Sequence, residues 1–587
     1  MKFKITTFLF ITLIMNLAVA QRQDKIVVYQ IFTRLFANQN LSNHFNGTLQ
    51  QNGTTKFSDI NQNALKSLKE LGASHIWYTG VIEHATMTDF SEFGIKADHP
   101  QVVKGIAGSP YAIKDYYDVN PYLANNVKDR MKEFEALIKR THDLDLKVLV
   151  DFVPNHVARQ YKSDVKPKEI KDFGENDEKS GGFSNQNNFY YLKDALQLPS
   201  DIKPPVSFSE NYAENPAKAT GNDVFSAQPN INDWFETIKL NYGVDYLNNR
   251  SRHFDPIPDT WNKMYEILEY WSQKGVDGFR CDMAEMVPVE FWGWVIPKIK
   301  AKYPNTIFIA EIYNPGEYAN YIFNGKFDYL YDKVGLYDAL RRLIEGHGNA
   351  MDITNVWQKE SGDFANHMLR FLENHDEQRI ASDFFGKKPE SAFAAWMLSA
   401  TLHTGPVMVY FGQELGVKPD KAEGFQGNDG RTTIFDFWGL PELQDWIAKG
   451  KFNSKKIKPE QKAIRDFYKN SLHFAVKNEA ISKGQFHDLQ YLNAWGKSEG
   501  YNQDKLYSYL RFTDGQMLLF VYNFDLNNTI NTEIKLPKDL ITDRFKGKKS
   551  IKATQKFNGN EKLNISVESS ELNVSIAPNS FKIFELK

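Results

Sequence analysis

The sequence predicts an α/β chain: a (β/α)8 barrel interrupted by a subdomain after its third strand and followed by an all-β sandwich. Three observations carry this. Between residue 25 and about 450, amphipathic helical patterns alternate with short apolar runs. From about 157 to 250 that rhythm gives way to a stretch rich in Asn, Asp, Pro and Ser. After about 470 the texture changes again, to strand-like runs separated by turn residues.

The barrel elements follow in order. Ala64–Leu71 has the spacing of an amphipathic helix, Gly72 stops it, and His75–Gly80 reads as a strand. Arg130–His142 is a second helix before the strand Lys147–Asn155, and Trp261–Lys274 a third before Gly278–Met283. With Val27–Phe32, Ile307–Ile312, Tyr329–Asp332, Met368–Glu373 and Pro406–Phe411, eight short buried runs alternate with helices, the pattern of a parallel TIM barrel. The segment 157–250 is too long for an ordinary connection and reads as an inserted subdomain. The barrel thus takes residues 21–156 and 251–465. In 466–587, Leu506–Phe512 and Met517–Phe524 flank Asp514-Gly515, a hairpin signal, and Thr532–Leu536 and Ser580–Leu586 add further strands of a sandwich.

Composition narrows the function. At 587 residues the chain exceeds one hydrophobic core. A net charge of -2 gives no basic face for a phosphate backbone, which argues against a nucleic-acid partner. Lys2 and Lys4 precede an apolar run, Ile5 to Ala20, that ends in Ala18-Val19-Ala20. This is the pattern of a signal peptide over residues 1–20, cleaved after Ala20, and predicts a secreted or periplasmic protein. The run is short for a bilayer span of about 20 residues, and no other window suits stable membrane insertion. A single cysteine, Cys281, excludes internal disulfides and thiolate metal clusters. Nothing in the sequence sets an oligomeric state.

Charged residues appear abruptly where four of the predicted strands end: Asp151 to His156 (DFVPNH), Gly278 to Met286 (GFRCDMAEM), Phe308 to Tyr313 (FIAEIY) and Phe371 to Arg379 (FLENHDEQR). The C-terminal mouth is where a barrel builds its active site. Period-two alternation puts Arg280 and Asp282 on one face and Cys281 on the other. The cation beside Asp282 favours its ionised form, the state that a covalent glycosyl nucleophile requires.

These four segments resemble the conserved regions of the α-amylase family, glycoside hydrolase family 13: D-x-V-x-N-H, G-F-R-x-D, a Glu after a hydrophobic strand, and H-D, in that order. QPNIN (Gln228–Asn232) and SPYAIKDYYDVNP (Ser109–Pro121) add two more family motifs. The resemblance implies a retaining α-glycoside hydrolase acting on an α-glucan or oligosaccharide. It gives Asp282 as nucleophile, Glu311 as general acid/base and Asp376 as the third carboxylate. His156 and His375 are implied as donors to the sugar, Arg280 as partner of the nucleophile, Tyr111 as the stacking platform, and Asp151 as a structural tie. GNDGR (Gly427–Arg431) resembles a loop lining donor subsites, which makes Arg431 a candidate substrate contact. Trp234 and Trp261 stay open between packing and sugar contact.

The chain departs from the family after the nucleophile. Many members carry Lys and His three and four residues on; here those positions hold Glu285 and Met286. Glu285 cannot donate as Lys does, so the acceptor side is expected to differ. The resemblance also implies a calcium ion near this point. Asn155 keeps the ligand type, whereas the Met286 side chain suits a hard cation poorly, and the ligand chemistry leaves calcium open. Two other readings compete with hydrolysis: an α-glucan transferase or isomerase using the same intermediate, and a non-catalytic carbohydrate-binding or transport-accessory protein.

Overall fold

The computed structural model describes residues 25–587 apart from 181, 420, 422 and 426; the signal peptide read over 1–20 lies outside the described residues. Eight parallel strands form the central sheet: β1 Val27–Phe32, β2 His75–Thr79, β3 Lys147–Phe152, β4 Gly278–Cys281, β5 Ile307–Ala310, β6 Tyr329–Tyr331, β7 Met368–Leu369 and β8 Val407–Tyr410. Neighbours pair in chain order, and β8 returns to β1 through Val27↔Val407. The last seam closes at one bridge beyond β7, Arg370↔Val407: Arg370 N donates to Pro406 O at 3.1 Å and Met408 N to Arg370 O at 2.8 Å. The predicted barrel is therefore present, with strands shorter than the sequence suggests. The tails 153–155, 282–283, 311–312 and 371–373 lie beyond the regular strands, although Asp282 N still donates to Phe152 O at 2.9 Å and Glu311 N to Cys281 O at 3.1 Å.

Alternation sorts the strand residues as expected. Val28, Trp77, Leu149, Ile309, Tyr331 and Met408 pack together inside the barrel. Tyr29, Ile76, Val150, Phe279, Cys281 and Phe308 pack in the layer between strands and helices. Cys281 is free and fully buried there, and burial pushes its thiol up, so it is a packing residue. Helix Gln62–Leu71 shows why the outer layer forms. Asn61 caps it by accepting from Asn63 N and Ala64 N, its Ala64, Leu65, Leu68 and Leu71 face is buried, and Gly72 ends it at φ 123°. A side chain at Gly72 would be strained and would press on Leu472.

Between β3 and β4 the inserted stretch is mostly irregular. Its short ladder Thr237–Lys239 pairs antiparallel with His156–Ala158, directly after β3. Helix Pro459–Lys477 runs across residue 465 and touches both sides. Arg465 Nη2 donates to Ser67 Oγ on the barrel at 2.9 Å, and Phe474 packs on Phe557 of the C-terminal sheet. Beyond it a six-stranded and a two-stranded antiparallel sheet enclose a second core that includes Leu510, Leu519, Ile534, Val574 and Phe584. Its hairpin turns at Thr513–Gln516, with Phe512 opposite Met517 as the Asp-Gly pair predicts. Among the described residues, no helix is long and apolar enough to cross a membrane.

Candidate active site

A cavity of about 400 Å³ opens at the C-terminal mouth of the barrel. Asp282, Glu311, Asp376, Tyr111, His156 and His375 line it, so the barrel brings six of the nine predicted site residues to one surface. Arg280 lies beneath, 1% exposed. Its Nη1 sits 2.5 Å from Asp282 Oδ1 and its Nη2 2.6 Å from Glu311 Oε1, so one guanidinium spans residues from two adjacent strands. Tyr331 Oη accepts from Arg280 Nε at 3.2 Å. Arg280 thus acts on the carboxyls from below and does not face the cavity.

Glu311 is held on both oxygens. Met283 N donates to Oε2 and Tyr313 Oη to Oε1, each at 2.8 Å. Burial is the main reason its pKa rises to about 7; Arg280 opposes the rise, while the charges of Asp282 and Asp376 add to it. Repulsion from the third carboxylate is therefore real but secondary to desolvation. Burial also raises Asp282, against the pull of Arg280. For Asp376 burial again acts upward, but His375, Arg280 and Arg431 together bring its carboxyl below the ordinary aspartate value. Asp376 is also the most open of the three, with its side chain 31% exposed against 8% for Asp282 and 3% for Glu311.

The neighbours orient these groups. His375 Nε2 lies 3.0 Å from Asp376 Oδ2 and 2.5 Å from Tyr111 Oη, and Gln30 Nε2 lies 2.9 Å from Nδ1. With Gln30 donating to Nδ1, the ring proton sits on Nε2. Tyr111 stacks on His375 with 5.1 Å between ring centroids. Asp151 accepts from Gly80 N at 3.1 Å and from Tyr111 Oη at 3.4 Å, tying β3 to the end of β2 and to the platform tyrosine. Burial lowers His156 to about 4, so its imidazole is neutral across the physiological range.

Arg431 stands behind the cavity. Its Nε donates to the backbone oxygen of Asp376 at 2.6 Å and its Nη1 pairs with Asp429 at 3.2 Å. The two open tryptophans separate. Trp234 lines the cavity edge-on to His156, whereas Trp261 is buried against Phe254, Phe291 and Trp294 and donates to Tyr242 O. Sequence reasoning missed Tyr313, Tyr331, Gln30 and the Lys104–Glu236 ion pair at 2.7 Å on the cavity wall. Tyr313 follows Glu311 by two, so period-two alternation continued past β5 points it to the same side. Glu285 does not line this cavity: its Oε2 accepts from Tyr313 N at 3.2 Å and Asn314 N at 3.0 Å, bracing the loop after Glu311.

The oxygens around Asn155 are already taken. Lys239 Nζ donates to Asn155 Oδ1, donates to Met286 O at 3.1 Å and pairs with Asp223 Oδ1 at 2.7 Å. Asn155 Nδ2 donates to Gly221 O at 2.7 Å. Calcium asks for about six to eight oxygens and no cation among them, so this donor set does not fit it. A separate buried acidic group, Glu83, Asp115 and Asp118, has ligand atoms within 4.8 Å of one another.

A barrel whose mouth gathers three carboxyls, two of them on one buried arginine fork, is the architecture of a glycoside hydrolase. The model of the alpha amylase catalytic domain matches residues 30–465, and the chain belongs to that family, whose members act on O-glycosyl bonds. Alpha-amylase 3 of Dictyoglomus thermophilum is 23% identical over 464 residues, covering 73% of this chain and 78% of its own. Neopullulanase 2 of Thermoactinomyces vulgaris is 20% identical over 405 residues, 67% of this chain and 56% of its own. Among solved structures, the maltogenic alpha-amylase AmyB of Thermotoga neapolitana shares the fold at a TM-score of 0.61 and 21% identity, covering 96% of this chain and 99% of its own.

Proposed function

We propose that the chain cleaves α-glucosidic bonds in starch-like glucans or maltooligosaccharides with retention of configuration. The observation that carries this is the Arg280 fork between Asp282 and Glu311. Bridging by one guanidinium favours the short carboxyl separation of retaining enzymes, about 5–5.5 Å, over the about 6.5–9.5 Å of inverting ones. In the first step a carboxylate oxygen of Asp282 attacks the anomeric carbon as the C–O bond to the leaving sugar breaks. Glu311, which holds its proton below about pH 7, gives it to the departing oxygen. In the second, Glu311 takes a proton from water, the oxygen attacks the same carbon, and Asp282 leaves. Asp376, kept ionised beside His375, holds sugar hydroxyls and supports the positive charge that develops on the ring. Tyr111 and Trp234 supply aromatic surface to the sugar.

An α-glucan is favoured as substrate because the similar proteins, at low identity, carry names of amylases and a neopullulanase. Export is proposed on the basic, apolar and small-residue pattern of residues 1–20, and N-terminal sequencing of the mature protein tests it by a start at Gln21. The activity is tested by incubating wild type, Asp282→Asn and Glu311→Gln with starch, pullulan, dextran and maltoheptaose. Shorter maltooligosaccharides from wild type, with either variant reduced at least about 1,000-fold, support the reading. Longer or isomeric products would make it a transferase or isomerase, and full activity in Asp282→Asn would end the mechanism.

A further inference from the structure

The calcium that the family resemblance implies and the lysine found among its expected ligands conflict, and the conflict is specific. Lys239 is 1% exposed and lies directly opposite His156 in the short ladder after β3. Its ammonium reaches an oxygen from each of three segments. Asn155 Oδ1 belongs to the loop after β3, Met286 O to the turn four residues beyond Asp282, and Asp223 to the inserted stretch. An ammonium has three N–H donors, and three oxygens meet it. The carboxylate of Asp223 supplies the counter-charge at 2.7 Å, and its other oxygen lies 3.8 Å from Arg250 Nη2. The ring of Tyr246 covers the group, with Nζ 5.4 Å from its centroid.

We propose that the Lys239 ammonium is the structural cation of this site: it replaces a divalent ion at Asn155 and ties the inserted subdomain to the loops that carry His156 and Asp282. A calcium ion bound to Asn155 Oδ1 and Met286 O would sit against this ammonium, and the low-dielectric surroundings would magnify their repulsion. Met286 fits the arrangement because only its backbone oxygen is used, so no coordinating side chain is required at that position.

The test counts calcium ions by isothermal titration of chelator-treated wild type, Asn155→Ala and Lys239→Ala, with melting temperatures measured with and without millimolar calcium. Any ion held at the Glu83 group adds equally to all three. Wild type and Asn155→Ala are expected to bind the same number of ions. Lys239→Ala is expected to bind one more, since its loss frees Asn155 Oδ1, Met286 O and Asp223. It is also expected to melt about 5 °C below wild type without calcium, the scale of a broken buried pair in a large chain, and to recover part of that with calcium. One ion fewer in Asn155→Ala than in wild type overturns the proposal, as does a Lys239→Ala that neither gains an ion nor loses stability. Should Lys239→Ala fail to fold, the comparison of wild type with Asn155→Ala decides.

Discussion

Arg280 Nη2 lies 2.6 Å from Glu311 Oε1 while the same guanidinium holds Asp282, so two carboxyls with opposite proposed tasks share one cation. The fork must leave Asp282 ionised without stripping the proton from Glu311. Burial, together with the charges of Asp282 and Asp376, makes that division workable. Lysine keeps the charge but not the fork. Arg280→Lys is therefore expected to lower kcat by about 100-fold or more, with circular dichroism unchanged; kcat near wild type would show that the fork is dispensable.

The pH dependence has a definite sign. Glu311 acts first as an acid and must hold its proton; raised to about 7, it does so below that pH and loses it above. The alkaline limb of kcat/KM in the free enzyme is expected near pH 7. Asp376 is one of the charges that raise Glu311, so in Asp376→Asn the limb of the residual activity should move to lower pH. On the acid side the limb should fall above the ordinary aspartate range, because burial raises Asp282. A limb that stays in place in Asp376→Asn would contradict the coupling.

Trp234 and Trp261 should fail in different ways. Trp234→Ala opens the cavity wall and is expected to raise KM about 10-fold while leaving the melting temperature nearly unchanged. Trp261→Ala leaves a hole among Phe254, Phe291 and Trp294 and is expected to cost about 3–5 kcal/mol of stability. Chemical denaturation together with steady-state kinetics separates the two outcomes.

Arg431 was expected to touch substrate, and the structure gives it a bond to the backbone oxygen of Asp376. Its loss should loosen the Asp376 loop more than it weakens binding. Arg431→Ala is expected to lower kcat about 10-fold with KM within about 2-fold, on the scale of one charge-assisted hydrogen bond. A rise in KM alone would restore the substrate-contact role.

The barrel and its carboxyls were legible because both are local. Apolar runs flanked by helical patterns fix the strands, and alternation alone places Arg280 beside Asp282 and turns Cys281 outward. Tyr313 obeys the same alternation and closes the segment Phe308–Tyr313, but nothing in the sequence marks its phenol as a partner of Glu311. Lys239 is another matter. It sits in an irregular insertion 84 residues from Asn155, and its partners come together only through folding. Glu285 shows the same limit: its type excludes lysine's role, but the backbone groups it braces, 28 and 29 residues on, have no local signature.

The proposed double displacement is tested most directly by the anomeric configuration of the first product. Proton NMR of maltoheptaose hydrolysis, followed from the earliest minutes, should show the α-anomer rising first, with the β-anomer appearing later by mutarotation. A β-anomer that leads from the start would mean single displacement by water and would contradict the nucleophilic role of Asp282.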